Sequence, residues 1–264
     1  MLVEDMSHYE QLLQSAIKKG RYSNCFLLPS EVPRLCKEQK LYYSMDRSGV
    51  FFFKKSGSGT SLMLVVDAAW FFFDVQKFSE FLPIKCDFPA NNGKYGSSDE
   101  LCMERLAEAG FEVCSDVKRT VYYPEAVMRT TFAKVATVDM AKSILSLWEA
   151  TFVREEHDLP DYDELVPHIE KGHVFYCSDE DNSLTGAILY KQDGKTGWVW
   201  HLAVRPDKRG MGIGQELMAM AHQKGINAGV RIFRGWVNVN NTSPKGYVHD
   251  GRTIRRMLRR EIIV

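Results

Sequence analysis

The sequence predicts an α/β chain with a mixed, mostly antiparallel central sheet flanked by helices, in two similar domains placed in tandem. Three observations predict it. A β-prone run, Trp198 to Val204, enters a glycine-rich loop that opens a helical pattern and leads to a further strand. Short strands with turn residues alternate with amphipathic helices through the second half. A hairpin and a helix in the first half repeat part of that order.

Composition narrows the class. The chain has 264 residues, with Lys plus Arg equal to Asp plus Glu at 34 each. A net charge near zero argues against a nucleic-acid binder. Hydrophobic residues make up 45% and charged residues 26%, which indicates a globular protein. Cys25, Cys36, Cys86, Cys102, Cys114 and Cys177 show no C-x-x-C spacing and read as reduced, mostly buried thiols. Met1 to Met6 is acidic and lacks a secretory hydrophobic core. The longest apolar stretch, Leu62 to Phe73, is interrupted by Asp67 and too short to span a bilayer. The expectation is a soluble cytoplasmic protein with no membrane or nucleic-acid partner and no metal; a homo-oligomer is compatible with the sequence.

In the first half, Val50 to Lys55 and Leu62 to Val66 form a hairpin around Ser56-Gly57-Ser58-Gly59. Ser98 is expected to cap a helix through Ala109 that closes on Gly110-Phe111. The join between domains is placed near Tyr123-Pro124-Glu125-Ala126, dividing the chain into 1–125 and 126–264.

In the second half, Thr131 to Ala136 is a short strand and Thr137 caps a helix over 138–151 with Met140, Ile144, Leu147 and Trp148 on its buried face. The acidic stretch 152–172 holds a second short helix. Val174 to Cys177 and Leu184 to Lys191 form a hairpin around Glu180-Asp181-Asn182, and Asp193-Gly194 turns into the strand 198–204. After the loop, Ile213, Leu217, Met220 and Ala221 mark a helix face, with Gly225 and Gly229 as stop signals. Residues 230–239 then read as a strand.

The loop is built to hold phosphate. Gly210, Gly212 and Gly214 free the backbone N–H groups at the positive end of a helix dipole. A Walker loop needs Gly-Lys-Ser/Thr, and Ile213-Gly214-Gln215 does not supply it. A dinucleotide fold needs a third glycine at 215 and an acidic residue at the end of the next strand, where Gln215 and Arg234 stand. A dinucleotide-binding oxidoreductase is therefore the weakest reading. The third pattern is Arg/Gln-x-x-Gly-x-Gly/Ala after a strand ending Leu-x-Val. Leu202-Ala203-Val204 followed by Arg209-x-x-Gly212-x-Gly214 matches it.

On these residues the chain resembles the GNAT superfamily of acyl-CoA-dependent N-acyltransferases over about 129–264. Asn240, Ser243, Tyr247 and Gly251 match a second family element, Asn-x-x-Ala/Ser-x-x-x-Tyr-x-x-x-Gly-Phe, with Arg252 in place of the phenylalanine and Pro244 and Gly246 inside the short helix. The first half looks like a degenerate copy: Leu106 stands where the tyrosine would be, and no phosphate loop precedes residue 200.

The resemblance implies an N-acetyltransferase that moves an acetyl group from acetyl-CoA to a primary amine of a small molecule or peptide, directly within a ternary complex. Gly210, Gly212, Ile213, Gly214 and Gln215 would hold the pyrophosphate of coenzyme A, with Arg209 adding charge or making a surface ion pair. Leu202, Ala203, Val204 and Asn240 would bind the pantetheine arm, and the N–H of Val204 would polarise the thioester carbonyl. Tyr247 matches the general acid. The base is open among Glu155, Glu156 and His157, which also read as a solvated acidic stretch. His201 reads as a buried, satisfied side chain, because alternation turns it from the face of Leu202. Trp198 and Trp200 share one face, as a cation–π wall for an amine or as core. The arginines at 252, 255, 256, 259 and 260 read as a solvated strand face. The alternative from another class is a non-catalytic acyl-CoA-binding regulatory module, motivated by the missing evident base.

Overall fold

A computed structural model of the chain describes residues 1–17, 22–25, 27, 29–123, 132–241 and 248–262. The elements run α1 (Met6–Ile17), β1 (Tyr22–Ser23), α2 (Val32–Lys37), β2 (Leu41–Met45), β3 (Gly49–Ser56), β4 (Gly59–Val66), β5 (Ile84–Asn91), α3 (Ser97–Glu108), β6 (Glu112–Tyr122), β7 (Lys134–Val135), α4 (Ala141–Glu149), α5 (Arg154–His157), α6 (Tyr162–Glu170), β8 (Val174–Ser178), β9 (Leu184–Asp193), β10 (Thr196–Val204), α7 (Ile213–Asn227), β11 (Ile232–Asn238) and β12 (Val248–Arg259). The strands are mixed and mostly antiparallel, with helices on the faces, as the patterning predicts. No helix among the described residues is long and apolar enough to cross a membrane.

The chain divides into two compact units, 1–117 with 251–264, and 118–250. The expected division at 125 lies close to the first crossing point, but the tail belongs to the first unit. The reason is ionic and local. Residues 252–259 pair antiparallel with β5, from Arg252↔Asn91 to Arg259↔Ile84. Arg256 grips Asp87 through Nε at 2.7 Å and a terminal nitrogen at 2.5 Å. Arg255 does the same to Asp116 at 3.0 Å, and Arg259 donates to the carbonyl of Gly110 at 2.8 Å. Arg255, Arg256 and Arg259 are thus clamps, whereas Arg252 and Arg260 are exposed as the solvated reading expects.

In the first unit, β2, β3 and β4 are antiparallel neighbours, and β5 runs parallel to β4. β3 is apolar on both faces and buried on both, as a central strand must be. Phe52, Met63 and Val65 pack under α1 and α2; Phe51, Phe53 and Leu64 pack on the other side with Cys102 and Leu106 of α3. The connection from β4 to β5 carries Phe71, Phe73, Phe78 and Phe81 into that core, with Phe81 stacked on Phe53 at 4.3 Å. Ser98 is not the cap of α3: the helix starts one residue earlier, and the Asp99 carboxylate accepts from the N–H of Gly96 at 2.9 Å.

The second unit orders its strands β11-β10-β9-β8-β7, with the end of β6 beside β11. Trp148, Leu165 and Ala203 centre the core on the α4–α6 side; Ile213, Leu217, Ala221 and Phe233 centre it under α7. Thr137 takes the cap position but makes no side-chain cap bond, and the chain enters α4 through a short 3-10 turn. The acidic stretch holds two helices, and Asp161 with Glu164 forms a capping box on α6. Gly225 does not end α7. It lies inside the helix where a Cβ would come within 2.7 Å of Phe233 and Tyr190, so its absence lets the helix lie close on the sheet. All six cysteines are free, and Cys86, Cys102 and Cys177 are buried.

Candidate active site

The glycine loop takes the form its spacing predicts. Gly210 and Gly212 have φ of +80° and +82°, a region that side chains disfavour, and a Cβ on either would meet open space. Backbone bonding within the turn ends at Arg209, whose N–H donates to Pro206, and resumes at Gln215, whose N–H donates to Gly212 at 2.9 Å. Among the described residues nothing accepts from the N–H groups of residues 210–214. Five consecutive donors therefore open α7 at its positive end, the requirement for a diphosphate. The main-chain donor of Gln215 is already used, so only its exposed side chain could serve a ligand. Arg209 donates through Nε to the carbonyl of Val204 at 3.2 Å, which ties the loop to the end of β10. Arg205 forms a two-point pair with Asp207 at 2.7 and 2.9 Å, bracing the turn before it.

β10 and β11 are parallel, and their paired positions run only from Thr196↔Ile232 to Val199↔Gly235. Both strands continue beyond, to Val204 and Asn238. On its other edge β10 stays paired to β9, with a bulge between Val199 and Leu202 and then Leu202↔Ile188, Ala203↔Ala187 and Val204↔Gly186. The N–H of Arg205 donates to Thr185, so positions 205 and 203 face β9 with their main-chain groups. Strict alternation in an antiparallel ladder then turns the N–H and C=O of Leu202 and Val204 toward the side where β11 has stopped pairing, the Val204 carbonyl already accepting from Arg209. Of the three residues expected to meet an extended arm, these two present main-chain groups to the gap, and Ala203 is committed to β9. Asn240 lies exposed in the turn after β11, its N–H bound to Asn238 Oδ1 at 2.9 Å. Tyr247, with Ser243, Pro244 and Gly246, lies outside the described residues. The short helix expected over this stretch does not reach Gly251, since β12 begins at Val248.

Phe233 and Gly235 of β11 are buried on the α7 side, so alternation places Arg234 and Trp236 on the opposite face, that of α4 and α5. There the Arg234 guanidinium lies over Trp198 at 5.9 Å, and Lys191 Nζ lies over Trp200 at 3.9 Å. The two tryptophans are indeed a wall, but each has a ring face covered by one of the protein's own cations rather than left for a ligand ammonium. Trp200 and Trp236, the first residues of each strand beyond the pairing, are 44% and 36% exposed. His201 is 5% exposed, buried as expected, but the bulge between Val199 and Leu202 breaks the alternation expected to turn it from the tryptophans: it packs on Trp148 at 5.3 Å and lies 5.9 Å from Trp200. Phe152 links it to α5: its ring lies 6.2 Å from His201 and 5.0 Å from His157. Glu155 and Glu156 are half-buried on α5. Their helix is therefore tied through this aromatic chain to the bulge of β10, a link that single-sequence spacing cannot show.

Two groups packed beside α7 drop out as nucleophiles. Burial, with Glu216 adding to it, pushes the Cys177 thiol up to about 12, and burial pushes the Tyr190 phenol up to about 12. Among the described residues no set of His, Cys, Asp and Glu could hold a metal ion.

Residues 141–245 match the model of the acetyltransferase (GNAT) family. No curated protein matches the sequence. Solved structures do match in fold. A GCN5-related N-acetyltransferase from Sphaerobacter thermophilus shares 13% identity with a TM-score of 0.56, covering 90% of this chain and 88% of its own. A GCN5-related N-acetyltransferase from Kribbella flavida shares 13% with a TM-score of 0.56, covering 84% and 90%. A GNAT-family acetyltransferase from Colwellia psychrerythraea shares 11% with a TM-score of 0.54, covering 98% and 99%. At such identities the likeness is one of fold, and it extends over the first unit as well as the second.

Proposed function

We propose that this chain, which carries a GNAT-family acetyltransferase domain over 141–245, moves an acetyl group from acetyl-CoA to a primary amine by direct transfer in a ternary complex. The observation that carries this reading is the run of five main-chain donors at 210–214 that no described residue engages, beside a parallel strand pair that has come apart. Donors and slot together suit a ligand with a diphosphate at one end and an amide-bearing arm at the other.

Acetyl-CoA supplies an acyl group activated on a thiol leaving group. The chain's residues do the rest. The N–H groups of Gly210, Gly212, Ile213 and Gly214 hold the diphosphate. Leu202 and Val204 align the arm by main-chain bonds, Asn240 meets its far side, and the N–H of Val204 polarises the carbonyl. Glu155 or Glu156 takes the proton from the incoming ammonium, directly or through water. The amine nitrogen bonds to the carbonyl carbon as the carbon–sulfur bond breaks, Tyr247 gives its proton to the departing thiolate, and the proton that the nitrogen loses on becoming an amide returns through water to the tyrosinate. The buried, protonated Cys177 agrees with a route that needs no acyl-enzyme.

Titration of coenzyme A into the protein, followed by thiol release from acetyl-CoA with a panel of amines, tests the proposal. One coenzyme A per chain and thiol release that depends on amine are expected. No heat on titration sinks it. For Tyr247→Phe, turnover falls by about 10²- to 10⁴-fold with coenzyme A affinity retained; equal turnover returns Tyr247 to a packing role. Binding without turnover for any amine, unchanged in the Tyr247→Phe variant, makes the domain a regulatory acyl-CoA-binding module instead.

A further inference from the structure

Arg234 differs from half of the described arginines in pairing with no carboxylate among the described residues. Arg34, Arg105, Arg119, Arg154, Arg205, Arg255 and Arg256 all pair with an Asp or Glu. Arg234 makes no ion pair or hydrogen bond among the described residues, and its Nε is buried without an acceptor. Among the described residues its guanidinium lies 5.9 Å from the ring of Trp198. A guanidinium cannot shed its charge by deprotonation, so a desolvated, unmet donor is retained at a cost that an anion would remove. The Trp198 ring at 5.9 Å lies within cation–π range, and a guanidinium fork can take a carboxylate at two points.

The place matters as much as the vacancy. Arg234 lies one position before the last paired residue of β11, on the face that also carries Trp200 and Trp236 at the mouth of the gap. Lys191 adds a second positive charge over Trp200. The acidic turn Glu155-Glu156 is tied to the same face through Phe152, His157 and His201. The face thus carries two cations and two exposed indoles, with the acidic helix linked to it through the aromatic side chains.

We propose that Arg234 receives a carboxylate of the acceptor, so that the acceptor is an amino acid or an amine of that kind with an apolar body lying on Trp200 and Trp236. This rests on the transfer reading above. The ammonium end then faces the acidic helix, and the fork of Arg234 fixes the molecule with its nitrogen toward the thioester carbonyl.

The test is thiol release from acetyl-CoA with the common amino acids, each set against its carboxamide and its decarboxylated amine, and with phosphoethanolamine as a phosphate-bearing amine. At least one acid is expected to exceed both neutral counterparts by about 10- to 100-fold in kcat/KM, mostly through KM. In Arg234→Gln that ratio falls to near one, and in Arg234→Lys part of it returns; coenzyme A titration of each variant reports an intact cofactor site. Neutral amines turned over as well as the acids, or a ratio that survives Arg234→Gln, overturn the assignment while transfer itself stands. Preference for phosphoethanolamine overturns the carboxylate. Coenzyme A binding with no amine acetylated removes this assignment together with the transfer reading.

Discussion

Both units contain a parallel strand pair that comes apart, and the two gaps have opposite contents. In the second unit the pairing of β10 with β11 ends at Val199↔Gly235, and Leu202 and Val204 turn main-chain groups into the opening. In the first, the pairing of β4 with β5 ends at Leu62↔Cys86 although β5 continues to Asn91. There the chain itself occupies the space. Asn24 donates its N–H to the carbonyl of Leu64 at 3.1 Å, accepts from the N–H of Leu64 through Oδ1 at 2.6 Å, and donates from Nδ2 to the carbonyl of Asp87 at 2.9 Å. A side-chain amide thus bridges the two strands much as an amide of a bound arm would. Leu64 stands two positions past the last pair and Leu202 three, the extra one being the bulge. The crossovers differ in the same sense: five open donors and α7 in one unit, a phenylalanine-filled connection in the other. One gap is left open and the other is closed from within.

The largest effect expected is on cofactor binding. Gly212→Asp should weaken coenzyme A by at least about 1,000-fold in calorimetry, since it sets a carboxylate against the diphosphate in a φ > 0 conformation. Affinity retained in that variant would mean that the first unit binds the ligand, and the comparison would fail. Next is Arg256→Met, which leaves Asp87 without the partner that holds it. Burial raises the Asp87 carboxyl, and the charges of Arg256 and Lys85 more than offset this, leaving it below its usual value. Loss of about 3–5 kcal/mol in denaturant unfolding is expected.

A pH effect follows from His222 in the second unit, stacked on Tyr122 at 4.6 Å. Burial pushes its pKa down to about 4. The folded ring stays neutral where the unfolded one, near 6.5, takes up a proton. Stability is therefore full above about 6.5 and falls by up to about 3 kcal/mol as pH drops toward 4. His222→Phe should flatten that part of the stability profile; an unaltered slope assigns it to other groups. The smallest effect sharpens the comparison most. Asn24→Leu leaves the main-chain groups of Leu64 and Asp87 facing an apolar side chain and should cost about 2 kcal/mol. Coenzyme A stoichiometry should remain one per chain, because emptying the first slot does not supply it with donors; a second equivalent bound would show that the plug alone excluded the ligand.

The loop and its strand were legible because each glycine has a local reason visible in spacing: two positive φ angles and a helix start. The hairpins and helices were legible from alternation and turn residues. Long-range pairing was not. Nothing near Arg255 or Arg256 announces that Asp116 and Asp87 lie opposite, so a run of charge looks like a wet surface. Asn24 gives no signal in Tyr22-Ser23-Asn24, since its role depends on strands 40 and 63 residues away. Arg234 stood in view as a residue unsuited to a dinucleotide fold, and only the register with Trp198 gives it a use. The second family element falls on residues outside those described, so Tyr247 rests on its spacing.

The tail's return to β5 has a consequence for how the chain is made. Ile84 to Asn91 pairs on one side with residues 252–259, which follow the whole of the second unit in the chain. Until these are made the edge of β5 has no strand to bond, and Asp87 waits for its guanidinium. Synthesis in order from the amino terminus therefore cannot finish the first unit first; the two must reach completion together. A fragment ending at residue 125 should expose a sticky strand edge and gather into aggregates, and supplying the remainder as a second polypeptide should restore it to solution.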